Sequence, residues 1–195
     1  MIIVGITGGI GSGKSTLSKL LLAEGFRVYN TDDEARRLQN ESSSIRNQLI
    51  EQFGSEVYNI EGLNRKYLAN IVFNQPESLL KLNSIVHPAV KEDFINWAKQ
   101  YSSEKYLFLE CAILLEGKFD SLVDKIVLVT ASEAVRVERV MKRDQSTEEQ
   151  VKSRIRNHMS DDEKMKHTDY ILSTDDNHDM YPKMKYLLSQ LNMLQ

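Results

Sequence analysis

The spacing of apolar residues changes several times along the 195-residue chain, and each change predicts an element. Ile2, Ile3, Val4 and Ile6 form a β-branched run that is apolar on both faces, as in a strand buried within a parallel sheet. From Ser15 to Glu24 the period becomes helical, with Leu17, Leu20, Leu21 and Ala23 at helix spacings and Gly25 as the stop. "FRVYN" (Phe26 to Asn30) reads as a second strand. "YLFLE" (Tyr106 to Glu110), "KIVLVTA" (Lys125 to Ala131) and "DYILST" (Asp169 to Thr174) supply three more. The alternation of strand and helix predicts an α/β fold around a parallel five-stranded sheet.

The stretch between the second and third strands reads as almost wholly helical and is too long for an ordinary crossover. It is expected to be an inserted helical, substrate-binding lobe. "ESSS" (Glu41 to Ser44) reads as a loop between helices, and His87–Pro88 as a helix break, since a residue before proline avoids the α region. Ser132 to His167 is helical and basic. Val135, Val137, Val140 and Met141 offer a packed side, while Arg136, Arg139, Lys142, Arg143, Lys152, Arg154 and Arg156 carry charge. Met180 to Leu194 places Met180, Met184, Leu187, Leu188 and Leu191 on one stripe, as in a closing helix against the sheet.

Composition adds limits. Hydrophobic residues make up 41% and charged residues 27%, as in an ordinary globular protein. The single cysteine, Cys111, leaves no internal disulfide and fits a reducing compartment or a small buried hydrophobe. A net charge of −3 argues against broad nucleic-acid binding. No apolar run approaches the ~18 residues of a membrane span, and the N-terminus lacks the pattern of a signal peptide. The expectation is a cytoplasmic protein with neither membrane nor nucleic acid as partner; the pattern says nothing of oligomeric state.

The opening stretch "GITGGIGSGKST" carries the chemistry. Gly8, Gly13, Lys14 and Ser15 fit G-x-x-x-x-G-K-[ST], and the motif lies between a strand and a helix, the context it needs. Glycines let successive N–H groups curl around phosphate oxygens, and the helix start adds its positive end. Gly11, Ser12, Gly13, Lys14, Ser15 and Thr16 are therefore the expected ATP-binding set. Lys14 would reach the β- and γ-phosphates and Ser15 would ligate Mg²⁺. A tight glycine turn without a ligand is the competing reading.

No N-K-x-D guanine-reading motif occurs, which turns the reading from a GTPase switch to a small phosphotransferase. Asp32 lies just beyond the second strand, where a parallel sheet gathers ligands, and is placed to orient or deprotonate an acceptor hydroxyl. Asp33 competes with it, and both could instead cap a helix. Glu110 ends the third strand and can approach the metal through water, or stand simply as a strand-end acid. Arg139 and Arg143 share a helix face and, with Arg136, can form a charged lid; a solvated basic face is the alternative.

The whole pattern resembles the dephospho-coenzyme A kinase family. "GITGGIGSGKST" is similar to that family's opening, "VYNTDDEAR" (Val28 to Arg36) to its V-I-D-A-D-x-x-A-R segment, and "LNRKYLANIVF" (Leu63 to Phe73) with "LNSIVHPAV" (Leu82 to Val90) to its L-D-R and I-x-H-P stretches. "VERVMKRD" (Val137 to Asp144), "SRI" (Ser153 to Ile155) and "TDYIL" (Thr168 to Leu172) resemble its lid and closing strand. The resemblance implies transfer of the ATP γ-phosphoryl to the ribose 3′-hydroxyl of 3′-dephospho-coenzyme A. It implies Asp32 as catalytic acid–base, Lys14, Arg139 and Arg143 as catalytic cations, and Arg65 and His87 as residues facing the coenzyme A portion. It also implies a P-loop kinase core over about 1–35, 104–138 and 168–195, a helical lobe over about 40–103 and a lid over about 139–167. Five positions depart from the pattern: Asn30 replaces an acid, Ala112 a proline, and Arg136 and His158 glutamines, while Glu110 is a longer acid than usual. Another small-molecule P-loop kinase, or a non-catalytic nucleotide-binding regulator, remains open at this point.

Overall fold

The computed structural model describes residues 1–175 and 179–193, without the side chains of residues 73, 74 and 76. In chain order the elements are β1 (Ile2–Thr7), α1 (Lys14–Ala23), β2 (Arg27–Asn30), α2 (Thr31–Glu41), α3 (Ser43–Phe53), β3 (Tyr58–Asn59), β4 (Gly62–Leu63), α4 (Arg65–Asn74), α5 (Pro76–Gln100), β5 (Tyr106–Glu110), β6 (Lys125–Thr130), α6 (Glu133–Asp144), α7 (Glu148–Arg156), α8 (Asp161–Met165), β7 (Tyr170–Ser173) and α9 (Met180–Asn192). The chain divides into two compact units, Met1–Asn30 with Tyr101–Gln195, and Thr31–Gln100.

The first unit is built on a five-stranded sheet in the order β2-β5-β1-β6-β7, all strands parallel. Its core joins Val4, Ile6, Phe108, Val127 and Val129 of the sheet to Leu17 and Leu21 of α1 and to Met184, Leu187 and Leu191 of α9. The apolar stripe expected of the closing helix is this buried face; Leu194, with which that helix was expected to end, lies outside the described residues. α1 stops where a left-handed Gly25 (φ 89°) lets Phe26 N–H reach the Leu21 carbonyl and Gly25 N–H the Leu22 carbonyl, the two bonds of a Schellman end.

β1 leads through α1 to β2 on one side, whereas β5 leads to β6 on the other. The switch of direction therefore falls between neighbours β1 and β5, and ligands collect beyond the carboxyl ends of such a pair. The register places Glu110 beside Ile6 of β1 and beside Asn30 of β2.

The second unit is helical apart from a small hairpin, β3 with β4, and one 3₁₀ turn at Ser55–Val57. Ile45, Leu49, Val57, Tyr58 and Leu68 form its core. Two local expectations are corrected here. α5 runs unbroken through Pro88. Pro88 removes one N–H and crowds the preceding turn, but Val86, Val90, Phe94 and Ala98 are buried, and α5 packs on α2, α3 and α4. That packing outweighs one lost hydrogen bond. "ESSS" shrinks to a single linking residue: Glu41 ends α2, and the Ser42 hydroxyl accepts from Ile45 N–H to cap α3.

The basic stretch, expected to be helical, is three helices. α6 ends at Gln145 in the left-handed region, and capping boxes at Thr147–Gln150 and Ser160–Glu163 start α7 and α8.

Candidate active site

The loop from Gly8 to Gly13 leaves β1 and enters α1 at the switch point. It turns through left-handed Gly11 (φ 80°) and Gly13 (φ 103°). Gly8 is fixed by space: a Cβ there would strike the Val129 carbonyl of β6 and lie 2.8 Å from Ser12 Oγ. Lys14 bends back over the loop and donates from Nζ to the carbonyls of Gly8 (2.8 Å) and Gly9 (3.0 Å). Its ammonium is thereby held at the first limb of the loop, beside the N-terminal turn of α1, where N–H groups point outward.

Ser15 lies in that turn. Its hydroxyl donates to Glu110 Oε1 at 2.9 Å, and Asn30 Nδ2 donates to Glu110 Oε2 at 3.1 Å. Glu110 is only 5% exposed, so each carboxylate oxygen meets a donor instead of bulk water. Asn30, which departs from the family pattern, thus has a part in this site: an amide can donate to Glu110, whereas a second carboxylate there would repel it.

Arg139 joins the same group. Its guanidinium donates to Thr174 Oγ1 (2.8 Å) and to the Thr174 carbonyl (2.7 Å), with a longer contact to the Gly11 carbonyl (3.4 Å). The Thr174 hydroxyl in turn donates to the Ser12 carbonyl at 2.8 Å. Thr174 is a tie between β7, the loop and α6 that the sequence reading missed; its only signal was its place at the end of the last strand. Arg143, one turn further along α6, points outward. Its side chain is 61% exposed and pairs with Asp144 at 2.7 Å, and Arg154 holds the same carboxylate at 3.1 Å. The hydrogen bond from Arg143 keeps the Asp144 carboxyl below its usual range and raises the guanidinium above its own.

Ala112 and His158 are joined through a buried lysine. Lys164 of α8 is 0% exposed, and its Nζ donates to the Ala112 carbonyl (3.0 Å) and pairs with Glu116 (3.1 Å). Glu116 also accepts from Met159 N–H (3.0 Å) and lies 3.9 Å from His158 Nδ1. Lys164, Glu116 and Asp161 escaped the sequence reading, because nothing in a polar, helical stretch marks one lysine as buried.

In the second unit, Asp32 and Asp33 both lie in the first turn of α2. Asp33 accepts from Arg36 at 3.2 Å on an exposed face. Arg65 opens α4, and its neighbour Asn64 caps that helix by accepting from Tyr67 N–H at 3.2 Å. His87 is half-buried on α5; burial, and then the Lys91 charge, push its imidazole below the ordinary histidine range.

A phosphate loop at the switch point of a parallel sheet, with a lysine over it and a buried acid beside its serine, defines a P-loop kinase. The fold agrees with solved examples. Shikimate kinase from Acinetobacter baumannii matches at a TM-score of 0.60 with 12% identity, over 100% of this chain and 95% of that one. A Thermus thermophilus protein of known crystal structure matches at 0.81 with 34% identity, over 97% of each chain. The particular family follows from the sequence. A family model described as dephospho-CoA kinase matches residues 2–179. A protein of Bacteroides fragilis named dephospho-CoA kinase is 38% identical over 188 residues, spanning 96% of this chain and 92% of that protein. The chain belongs to the dephospho-CoA kinase family, and it is a kinase.

Proposed function

We propose that Lys14, Ser15, Glu110, Asp32, Arg139 and Arg143 carry out the family's reaction, transfer of the ATP γ-phosphoryl to the ribose 3′-hydroxyl of 3′-dephospho-coenzyme A. The observation that carries this reading is the arrangement at the switch point: Lys14 Nζ over the Gly8 and Gly9 carbonyls, with the Ser15 hydroxyl 2.9 Å from buried Glu110. Phosphoryl transfer needs positioning and charge stabilisation more than covalent chemistry, and these groups supply both. Gly11 to Thr16 cradle the phosphates through their N–H groups. Lys14 neutralises charge that builds on the β- and γ-oxygens.

The residues fit Mg²⁺. The Ser15 hydroxyl and the Glu110 carboxylate are hard oxygen donors side by side, and among the described residues no cluster of three or more acidic, histidine or cysteine side chains forms a cage. That sparse donor set suits an ion that takes most of its remaining ligands from water and substrate phosphates. When bound, Mg²⁺ supplies electrophilic stabilisation of the phosphate oxygens. Ser15 and Glu110 would hold it, Glu110 through water.

Asp32 orients the acceptor 3′-hydroxyl and takes its proton. It stands two residues after β2 in the chain, in the first turn of α2. Arg65 and His87, both in the helical unit, bind the coenzyme A portion. Arg139 steadies the loop from α6, and Arg143 leaves Asp144 to meet the moving phosphoryl group.

Paired substitutions test the acid–base role. Asp32→Asn keeps size and hydrogen-bonding capacity but removes basicity. Turnover should fall by roughly 10²-fold or more, with calorimetric binding of ATP and dephospho-coenzyme A little changed. Asp33→Asn should cost much less, because Asp33 pairs with Arg36 on an exposed face. Should Asp33→Asn be the crippling change, the acid has been placed one residue out.

A further inference from the structure

Arg136 is buried, 9% exposed, although it lies in a helix whose charged residues are expected to face water. Its guanidinium rests on Gly9 of the phosphate loop: a Cβ at Gly9 would overlap Arg136 Nη1, lie 3.1 Å from its Cζ, and lie 3.6 Å from Asp161 Oδ1. Asp161 opens α8 and accepts from the Thr130 hydroxyl at the end of β6. The ion pair between them is stretched, with Nη1 to Oδ1 at 3.9 Å. Among the described residues, Arg136 Nε and Asp161 Oδ1 are both buried without a hydrogen-bond partner.

Two opposite, incompletely satisfied charges beneath an anion-binding loop are costly to keep for packing alone. A glutamine, usual at position 136 in the family the chain resembles, would bring no charge to this place. Gly9 is held on one side by Lys14, through its carbonyl, and contacted on the other by Arg136.

We propose that Arg136 is a positioning residue of the phosphate loop whose buried charge, set by the stretched pair with Asp161, tunes the affinity of the loop for the nucleoside triphosphate. Arg136 acts through Gly9, not by touching the reacting atoms. Its positive charge attracts the phosphates, and Asp161 offsets part of that attraction. The inference rests on the reading of the loop as the ATP site.

The two members of the pair should therefore move affinity in opposite directions. The test is calorimetric binding of ATP, at low and high salt, to wild type and to Arg136→Gln, Arg136→Lys and Asp161→Asn, together with kcat and KM. Arg136→Gln should weaken binding roughly fivefold, the size expected of one unit charge acting through a partly hydrated interior. Arg136→Lys should stay within about twofold of wild type. Asp161→Asn keeps an acceptor for Thr130 but removes the offsetting charge, so it should tighten binding, more at low salt than at high. KM for ATP should follow these changes, with kcat within about twofold throughout.

A structural brace alone would make both Arg136→Gln and Asp161→Asn weaken binding, and that result overturns the inference. So does an Asp161→Asn affinity equal to wild type. If Arg136→Gln fails to fold, the sign of the Asp161→Asn change decides by itself. Failure of the wild type to bind ATP would overturn the loop reading and this inference together, whereas normal wild-type binding with no tightening in Asp161→Asn overturns the inference alone.

Discussion

A single carboxylate, Glu110, shows how residue chemistry builds this site. Alone and 5% exposed at the end of a strand, it would leave its carboxylate oxygens without hydrogen-bond partners. Ser15 and Asn30 each give it a hydrogen bond, and the sheet register sets Asn30 directly beside it. The sequence displayed Asn30 only as a departure from a family pattern and Glu110 as an acid at a strand end; their pairing became legible once the register of β2 and β5 was known. Lys164 was harder to read. A lysine among Asp161, Asp162, Glu163 and Lys166 looks solvated, yet it is fully buried and fixed to Glu116 and the Ala112 carbonyl. Lys164→Ala would leave the Ala112 carbonyl without its donor and Glu116, whose side chain is 24% exposed, without its cation. It should destabilise the chain by about 2 kcal/mol, as measured by chemical denaturation, the range for losing a hydrogen bond from a charged group. A loss below about 1 kcal/mol would show that water takes the place of the ammonium at the Ala112 carbonyl.

At the scale of elements, strands were read closely and helix interruptions poorly. Four of the five strands fall within the runs that announced them and β1 overruns its own by Thr7 alone; the inner strands, covered on both faces, have little polar patterning to confuse the reading. The two-residue strands β3 and β4 were missed, being too short to show a period. Pro88 misled in the opposite direction: its local preference was overridden by the buried face of α5. The helix also sets a pH dependence. His87 has a folded-state affinity for protons below its ordinary value of 6.5, owing first to burial and then to Lys91. The unfolded chain therefore binds the proton more readily. Stability should be unaffected by this group well above pH 6.5 and should fall as pH drops from there through the lower folded value. Replacing His87 by Asn should flatten that fall in denaturation midpoints between pH 7 and 5. An unchanged slope would mean that His87 stays solvated in the folded chain.

For the molecule as a whole, the proposed roles fall on residues of both units. The unit of Met1–Asn30 and Tyr101–Gln195 carries the loop, Lys14, Ser15, Glu110, Arg139 and Arg143. The unit of Thr31–Gln100 carries Asp32, Arg65 and His87. No described helix is long and apolar enough to cross a membrane. ATP that binds only the folded chain should raise its stability by about 2.7 kcal/mol at a hundredfold excess over Kd, a rise of several degrees in Tm. Lys14→Ala should remove most of that rise while leaving the Tm of the ligand-free protein near normal, since Lys14 Nζ meets loop carbonyls and no core residue. Phosphoryl transfer by the whole chain remains the central claim, and the most direct measurement is a mass and ³¹P analysis of the product formed from ATP, Mg²⁺ and 3′-dephospho-coenzyme A by the purified protein. The account predicts ADP and coenzyme A in equal amounts, the new phosphate on the ribose 3′-oxygen, and almost no ADP when dephospho-coenzyme A is omitted. ADP released at the same rate without the acceptor, or a phosphate delivered to another position, would contradict it.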